Sequence, residues 1–393
     1  RRIIKASALT PLTYRWRWIA AGCALPWILT SSIGALPIGQ ASNAFVQALG
    51  QNGLWELAAA FRHNELSYHA FYPTRPRETV CTQLRQLVAT PKSRFIHNEM
   101  CDIRRTITPT EAPRRLNVVL VTMESLSAEF IGALGDKRGL TPEFDQLSRQ
   151  GLLFTQLYAT GTRTVRGLEA VSLAIPPTPG QAVVRRPQYH DLFTLGGVLG
   201  QQGYQSRFWY GGYGYFDNMN GYFAANGYQV RDRLSIAKTD IPHENVWGVA
   251  DEALYHSAVN EANMLSAKGQ PFFMHIMTTS NHRPFTYPNG RIDLPSGSGR
   301  DGAVKYADWA LGRFINEAQH QAWFKDTIFV ILADHCASSA GKVELPVPKY
   351  HIPMLIYAPS QVAAGRFERL ASQMDVAPTI MGLLRLPYIS QFV

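Results

Sequence analysis

The chain has 393 residues, 46% of them hydrophobic and 17% charged, and 38 Lys and Arg against 29 Asp and Glu give a formal charge of +9. That apolar content excludes a fibrous or disordered chain, and a charge share below the roughly 25% of ordinary soluble domains implies extensive burial or contact with lipid. The basic surplus favours anionic partners (nucleic acid, phospholipid or phosphoester), while four cysteines without a C-x-x-C spacing exclude a disulfide scaffold and a zinc ribbon.

The chain opens on Arg1 and reads as a piece of a longer protein. Arg1, Arg2, Lys5, Arg15 and Arg17 place five positive charges and no carboxylate in the first 17 residues, and Trp18 to Leu36 then runs for 19 residues without a charge. About 20 apolar residues cross a bilayer, and flanking Lys and Arg stay on the cytoplasmic side. The pattern therefore predicts a transmembrane helix within residues 1–37, with everything after Pro37 outside the cytoplasm. A cleaved signal peptide would have a shorter apolar core, and a buried soluble helix would have to accommodate Gly22, Pro26 and Gly34. Residues 38–112 read as a helical juxtamembrane connector, from the periodicity of Phe45, Leu49, Leu54, Leu57 and Phe61. Cys81 and Cys101 lie in that segment, where a bridge would close a modest loop that no spacing rule demands.

From residue 113 to 393 the texture predicts an α/β domain, a doubly wound and mainly parallel sheet flanked by helices. Asn117 to Met123 (NVVLVTM) is a continuous apolar run of the kind found in a central parallel strand, and Thr141-Pro142-Glu143 is a helix start. Ser206 to Tyr210, Phe272 to Thr278, Thr327 to Ala333 and Ile352 to Tyr357 are further strand candidates. In open α/β sheets ligands bind beyond the carboxyl ends of the strands. Glu124 follows the first strand, His282 the FFMHIMTTSN stretch, and Asp334-His335 the TIFVILA run. Oxygen and imidazole ligands converging there predict a divalent-cation site. Singly, Glu124 could cap a helix, Asp334 could hold a turn and a histidine could be an ordinary buried polar group.

The loop from Ala159 to Gly167 (ATGTRTVRG) is rich in hydroxyls and guanidinium groups and precedes a helical pattern. A hydroxyl at a helix N-terminus meets free backbone N–H groups and a positive dipole, which suits an attacking alkoxide and the phosphoryl oxygens it faces. The same hydroxyl could simply cap the helix.

The stretches NVVLVTMES, GTRTVRG, TTSNHRPF and ILADH, in this order, resemble the sulfatase-like domain of the alkaline phosphatase superfamily, in its lipoteichoic acid synthase and phosphoglycerol transferase branch. The resemblance covers roughly residues 114 to 385. It implies one divalent metal, manganese first and magnesium or zinc as alternatives, bound by Glu124, Thr164, Asp334 and His335. It also implies Thr164 as nucleophile and His282 as a histidine on the substrate side. True sulfatases carry Cys or Ser in C/S-x-P-x-R, where this chain has Thr164-Val165-Arg166, so sulfate-ester hydrolysis is not expected. In the lipoteichoic acid synthases a Phe-Trp-Asn-Arg stretch grips the glycerol phosphate. The comparable segment here is Phe216-Asp217-Asn218-Met219, which lacks the Trp and the Arg. Arg163, Arg166 or Arg283 could supply the missing charge, and His351 is a further substrate-binding candidate.

The resulting expectation is a membrane-anchored phosphotransferase that moves a phosphoglycerol group from phosphatidylglycerol to an extracytoplasmic glycan through a phosphothreonine intermediate. It would sit in a bacterial inner (cytoplasmic) membrane with its catalytic domain in the periplasm or extracytoplasmic space. A phosphoethanolamine transferase or phosphodiesterase of the same superfamily is the alternative enzyme, and a membrane lipid sensor without catalysis is the non-enzyme alternative. Nucleic-acid binding would account for the charge but not for the apolar span, so no nucleic-acid partner is expected.

Overall fold

A computed structural model describes residues 12–33, Gly53, Leu57, 72–338 and 345–393. The first stretch is the helix α1 (Leu12–Ile33), 22 residues with Pro26 inside. The predicted span Trp18–Leu36 overlaps it as far as Ile33, and residues 34–36 lie outside the described residues. Among the described residues no helix is long and apolar enough to cross a membrane. Arg15 and Arg17 near one end of α1, and Thr30, Ser31 and Ser32 near the other, dilute its apolar run. The periodic segment 43–62 is also outside, apart from Gly53 and Leu57, which are helical.

A second compact unit, residues 63–340 and 346–393, has as its first described helix α2 (Arg77–Val88), whose Cys81 is joined by a disulfide to Cys101, 20 residues on. Within the segment 38–112, read as a helical connector, the chain then forms two strands, β1 (Ser93–Phe95) and β2 (Arg105–Ile107). β2 pairs antiparallel with β12 (Tyr388–Ser390) near the chain's end, and Arg105 is buried with its guanidinium donating to the carbonyl of Phe392. Strand pairing thus satisfies backbone groups of 93–95 and 105–107, beside the helix α2 in the same segment.

The main sheet is built from β3 (Asn117–Met123), β4 (Leu152–Tyr158), β5 (Gln205–Tyr210), β6 (Gln229–Arg231), β7 (Phe272–Met277), β8 (Thr327–Ala333), β9 (His351–Tyr357), β10 (Gly365–Phe367) and β11 (Ala371–Ser372). Its order is β10-β4-β9-β8-β3-β7-β5-β6, with β11 also on β4. Every pairing is parallel except the two made by β9, so the α/β and mainly parallel expectation holds, with one reversed strand inside. β4 has no counterpart among the predicted strands. Its sequence LLFTQLY mixes polar residues into the run, and its register against β9 shifts between Phe154 and Leu157.

The central strands β3, β7 and β8 are buried almost throughout because helices cover both faces, as their unbroken apolar runs require. The helices are α3 (Pro142–Ser148), α4 (Thr164–Leu173), α5 (Leu195–Gln201), α6 (Met219–Ala225), α7 (Asp251–Ala267), α8 (Arg300–Gln319) and α9 (Val376–Leu384). The buried Asp308 of α8 accepts the N–H groups of Glu143 and Phe144, tying α8 to the otherwise open N-terminus of α3. In register, Met123 of β3 faces Ala333 of β8, so the residues that follow these strands emerge side by side at one edge.

Candidate active site

Glu124 and Asp334 are those next residues, and both are buried. Ser125 turns the chain there in the left-handed region, φ 50°, a conformation uncommon for any residue but glycine. The turn lets Ser125 donate twice, from its N–H to Asp334 Oδ1 at 2.8 Å and from its hydroxyl to Glu124 Oε1 at 2.6 Å. Asn281, beyond the end of β7, donates to the carbonyls of Glu124 and Ser125. The carboxylates are therefore aimed by a network that crosses three strands.

His335 Nδ1 lies 2.7 Å from the carbonyl oxygen of Cys336. A carbonyl can only accept, so Nδ1 carries the proton and Nε2 is free to act as a ligand. That nitrogen is 3.4 Å from Asp334 Oδ2 and 3.8 Å from Glu124 Oε1. One ligand atom from each of Glu124, Asp334 and His335 lies within 4.8 Å of the others. Asp334 Oδ2 is buried and receives no hydrogen bond from the described residues. Burial, and then the charge of Glu124, push the Asp334 carboxyl well above the usual carboxylate range. Burial works against the His335 imidazolium, but Asp334, Glu124 and the Cys336 carbonyl outweigh it and hold that ring above the ordinary histidine value. Two adjacent buried carboxylates, one oxygen without a donor and an imidazole nitrogen turned toward both fit a divalent cation, whose charge would stabilise all three.

Thr164 is the first residue of α4, and its hydroxyl donates to Glu124 Oε2 at 3.4 Å. The N–H groups of Arg166 and Gly167 go to the carbonyl of Arg163, so those of Thr164 and Val165 remain at the free end of the helix. Gly167 lets this helix approach the sheet, since a Cβ there would overlap the Asp334 carbonyl.

Glu124, Thr164 and His335 line a cavity of about 350 Å³ together with Arg163, Tyr210, Asp217, Trp247, His282, Arg283 and Arg300. His282 Nδ1 donates to the Arg283 carbonyl at 3.1 Å, and its ring lies 3.7 Å, centre to centre, from Trp247. Its Nε2 is thereby the ring nitrogen left for a substrate.

Two candidates are turned elsewhere. Arg166 is held by the buried Glu169 at 2.6 Å and donates to the Gly180 carbonyl, because an uncompensated Glu169 in that core would be costly. The ring of His351 donates to the Thr155 carbonyl at 2.9 Å and stacks on Tyr158, at the β4 side of the sheet. Neither lines the cavity. Of the Phe216–Met219 segment, Phe216 and Asp217 reach the cavity and Met219 is buried at the start of α6. Asp217 pairs with Arg185 at 3.3 Å.

Arg300 was not legible as a site residue from motifs. It opens α8, lies over the ring of Phe285 at 4.8 Å and donates to the Asn281 carbonyl. Burial pulls its guanidinium below the usual arginine value, and the nearby Glu124 opposes this. A cation on the first residue of a 20-residue helix opposes the helix dipole, and that mismatch was the available signal.

Comparison with known proteins finds relatives of the chain and of its fold. The chain is 26% identical to lipoteichoic acid synthase 2 of Bacillus subtilis over 296 residues, 68% of this chain and 44% of the relative. It is 29% identical to phosphoglycerol transferase I of Salmonella arizonae over 238 residues, 57% of this chain and 31% of the relative. The matches thus span less than half the length of these curated relatives. A crystal structure of a protein in the alkaline phosphatase superfamily from Vibrio parahaemolyticus superposes with a TM-score of 0.78 at 35% identity, covering 83% of this chain and 79% of that one. The lipoteichoic acid synthase of Listeria monocytogenes shares the fold, with a TM-score of 0.62 at 23% identity over 70% of this chain and 73% of that one. The family described as Sulfatase matches residues 116–386, which takes in the sheet and the site at its edge, and the chain belongs to that family within the alkaline phosphatase superfamily.

Proposed function

We propose that this chain is a metal-dependent phosphotransferase that moves a phosphoglycerol group from phosphatidylglycerol to an extracytoplasmic glycan by way of a phosphothreonine at Thr164. The observation that carries the reading is the hydroxyl of Thr164 at the free end of α4, hydrogen-bonded to Glu124 and beside Asp334 and His335, at the base of a cavity with arginines in its wall. The relatives named phosphoglycerol transferase and lipoteichoic acid synthase support the choice of group.

Glu124, Asp334, His335 and Thr164 Oγ1 would hold a divalent cation, manganese before magnesium or zinc, which lowers the pKa of a hydroxyl and offsets phosphoryl charge. Thr164 Oγ attacks phosphorus in line, its proton leaving toward Glu124, and an Oγ–P bond forms as the P–O bond to diacylglycerol breaks. His282 Nε2 gives a proton to that departing oxygen, while Arg300, Arg163 and Arg283 and the N–H groups of α4 hold the phosphoryl oxygens. A glycan hydroxyl then attacks phosphorus, giving its proton to His282 Nε2, and the Oγ–P bond breaks as Glu124 returns the proton to the threonine oxygen.

A catalytic domain outside the cytoplasm agrees with the Cys81–Cys101 disulfide, because such bonds persist in oxidising compartments. The five positive charges ahead of residue 18 support anchoring with that orientation.

Phosphoethanolamine transfer is the second reading, favoured by Asp217: a carboxylate in the cavity, where the resembling enzymes carry Trp, is complementary to an ammonium headgroup. Thin-layer analysis of the purified chain with labelled phosphatidylglycerol and phosphatidylethanolamine tests both. Diacylglycerol released from phosphatidylglycerol with a labelled acceptor is the expected result. Turnover of phosphatidylethanolamine alone would replace phosphoglycerol by phosphoethanolamine, and turnover of neither lipid would leave the lipid-sensor reading.

A further inference from the structure

Three loops beside the cavity each carry an exposed apolar tip. Tyr215 lies in the loop after β5, Leu234 in the turn after β6 and Val246 in the loop before α7, and they are 75%, 76% and 76% exposed. The loops are tied into one body. Asp232 accepts the N–H of Gly214, and Arg233 donates its own N–H to the Gly212 carbonyl. The Arg233 guanidinium lies over the ring of Tyr213, which stacks on Tyr215, and forms an ion pair with Glu244 of the third loop. Phe216 packs edge to face on Trp247 at 5.4 Å, and these two rings continue the apolar surface inward as part of the cavity wall.

Such separate tips on short loops lack the broad flat area that a folded protein partner would cover. They match instead the side chains that enter the headgroup and upper acyl region of a lipid surface, where aromatic and aliphatic groups gain burial while their loop backbones stay hydrated. The charges agree. Arg163 and Arg283, exposed at the cavity mouth, have no carboxylate within 4.0 Å among the described residues, so both can meet anionic headgroups.

We propose that Tyr215, Leu234 and Val246 form a rim that docks the mouth of the cavity on the surface of a bilayer containing anionic phospholipid. The proposal rests on the reading of the cavity as a phospholipid-headgroup site and adds how that headgroup is reached. The rim sits in the interface, and a headgroup enters between Trp247 and the exposed arginines without its acyl chains leaving the lipid.

The test uses the full chain with Cys23→Ser and Leu234→Cys, labelled with an environment-sensitive thiol fluorophore. Met264→Cys, 59% exposed toward the far end of α7, is the control position. Vesicles of phosphatidylcholine mixed with phosphatidylglycerol should shift the emission at position 234 to the blue and leave position 264 unchanged. Water-like emission at 234, equal shifts at both positions, or the same shift with phosphatidylcholine alone would overturn the docking proposal. A second measurement replaces Leu234 and Val246 together by Ser. Turnover of vesicle-borne lipid should fall about tenfold, while hydrolysis of the water-soluble diester bis(p-nitrophenyl) phosphate should be unchanged. Unchanged turnover on vesicles would also overturn the proposal. Soluble-diester cleavage without a blue shift leaves the catalytic reading standing and removes the docking. A blue shift without turnover of lipid or soluble diester leaves the docking standing and removes the catalytic reading.

Discussion

The carbonyl of Asp334 occupies the space where a side chain on Gly167 would begin, so α4 and the end of β8 meet backbone to backbone. Thr164 stands one helical turn before that contact, and its reach to Glu124 depends on it. Gly167→Ala should push α4 outward and cut turnover by about 10²-fold, the usual effect of a displacement near 1 Å. Metal content should be retained. Parallel assays of activity and bound metal check this, and a normal rate would show that α4 can yield without moving Thr164.

Thr164→Ala should abolish turnover without unfolding, since a methyl cannot form the phosphoryl intermediate and the position is only half-buried. Thr164→Ser should keep a measurable rate and trap a phosphoglycerol group on residue 164 in acid-quenched samples read by mass spectrometry. Near-normal activity of the alanine variant refutes Thr164 as nucleophile.

Asp334→Asn and His335→Ala should each lower bound metal and activity together. Elemental analysis of the purified variants decides this, and unchanged metal content would point to other ligands. Loss of metal from the parent chain by chelation should stop turnover as completely as the Thr164→Ala substitution does.

Arg300 is held by the ring of Phe285 and the Asn281 carbonyl so that its charge faces the cavity. Arg300→Gln should lower kcat/KM by about 10²-fold, with Arg300→Lys retaining part of the rate. Steady-state kinetics on a soluble phosphodiester separate this from lipid docking, and an effect under twofold would remove Arg300 from the phosphoryl site.

His275, in the middle of β7, is fully buried between Phe208 and Phe223, with Nδ1 unpartnered, and burial pulls its pKa down to about 3. The folded chain keeps this ring neutral, while the unfolded chain binds a proton below about 6.5. Its contribution to stability is therefore full above that pH and is lost progressively as pH falls toward 3. Asp251 and Asp308, which burial raises to about 6 and about 7, act in the opposite direction over part of the same range. His275→Phe removes only the histidine's contribution, so the variant should lose less stability than its parent between pH 7.5 and 5. Urea melts at both values test the difference, and parallel curves would contradict it.

The residue types of the candidate cation site could be read from the chain alone. Glu124 and the Asp334-His335 pair were legible because central parallel strands are unbroken apolar runs, and a polar group just past such a run lies at the sheet edge where ligands bind. Thr164 was legible through the motif around it and its place at a helix start. The strand order was not legible, and it alone brought β3 and β8 into register so that two carboxylates 210 residues apart became neighbours. Packing also selects which cations face the cavity. Arg166 is claimed by the buried Glu169 and His351 by the Thr155 carbonyl, whereas Arg300 is turned inward, and each outcome depends on partners remote in sequence or on a neighbour's burial. The pairing of Cys81 with Cys101 was settled the same way: no spacing rule demanded it, but the fold of α2 and the 93–107 hairpin places their Cα atoms 4.8 Å apart. Periodicity reports what a residue's own element needs, and the choice of partner across elements is made by packing.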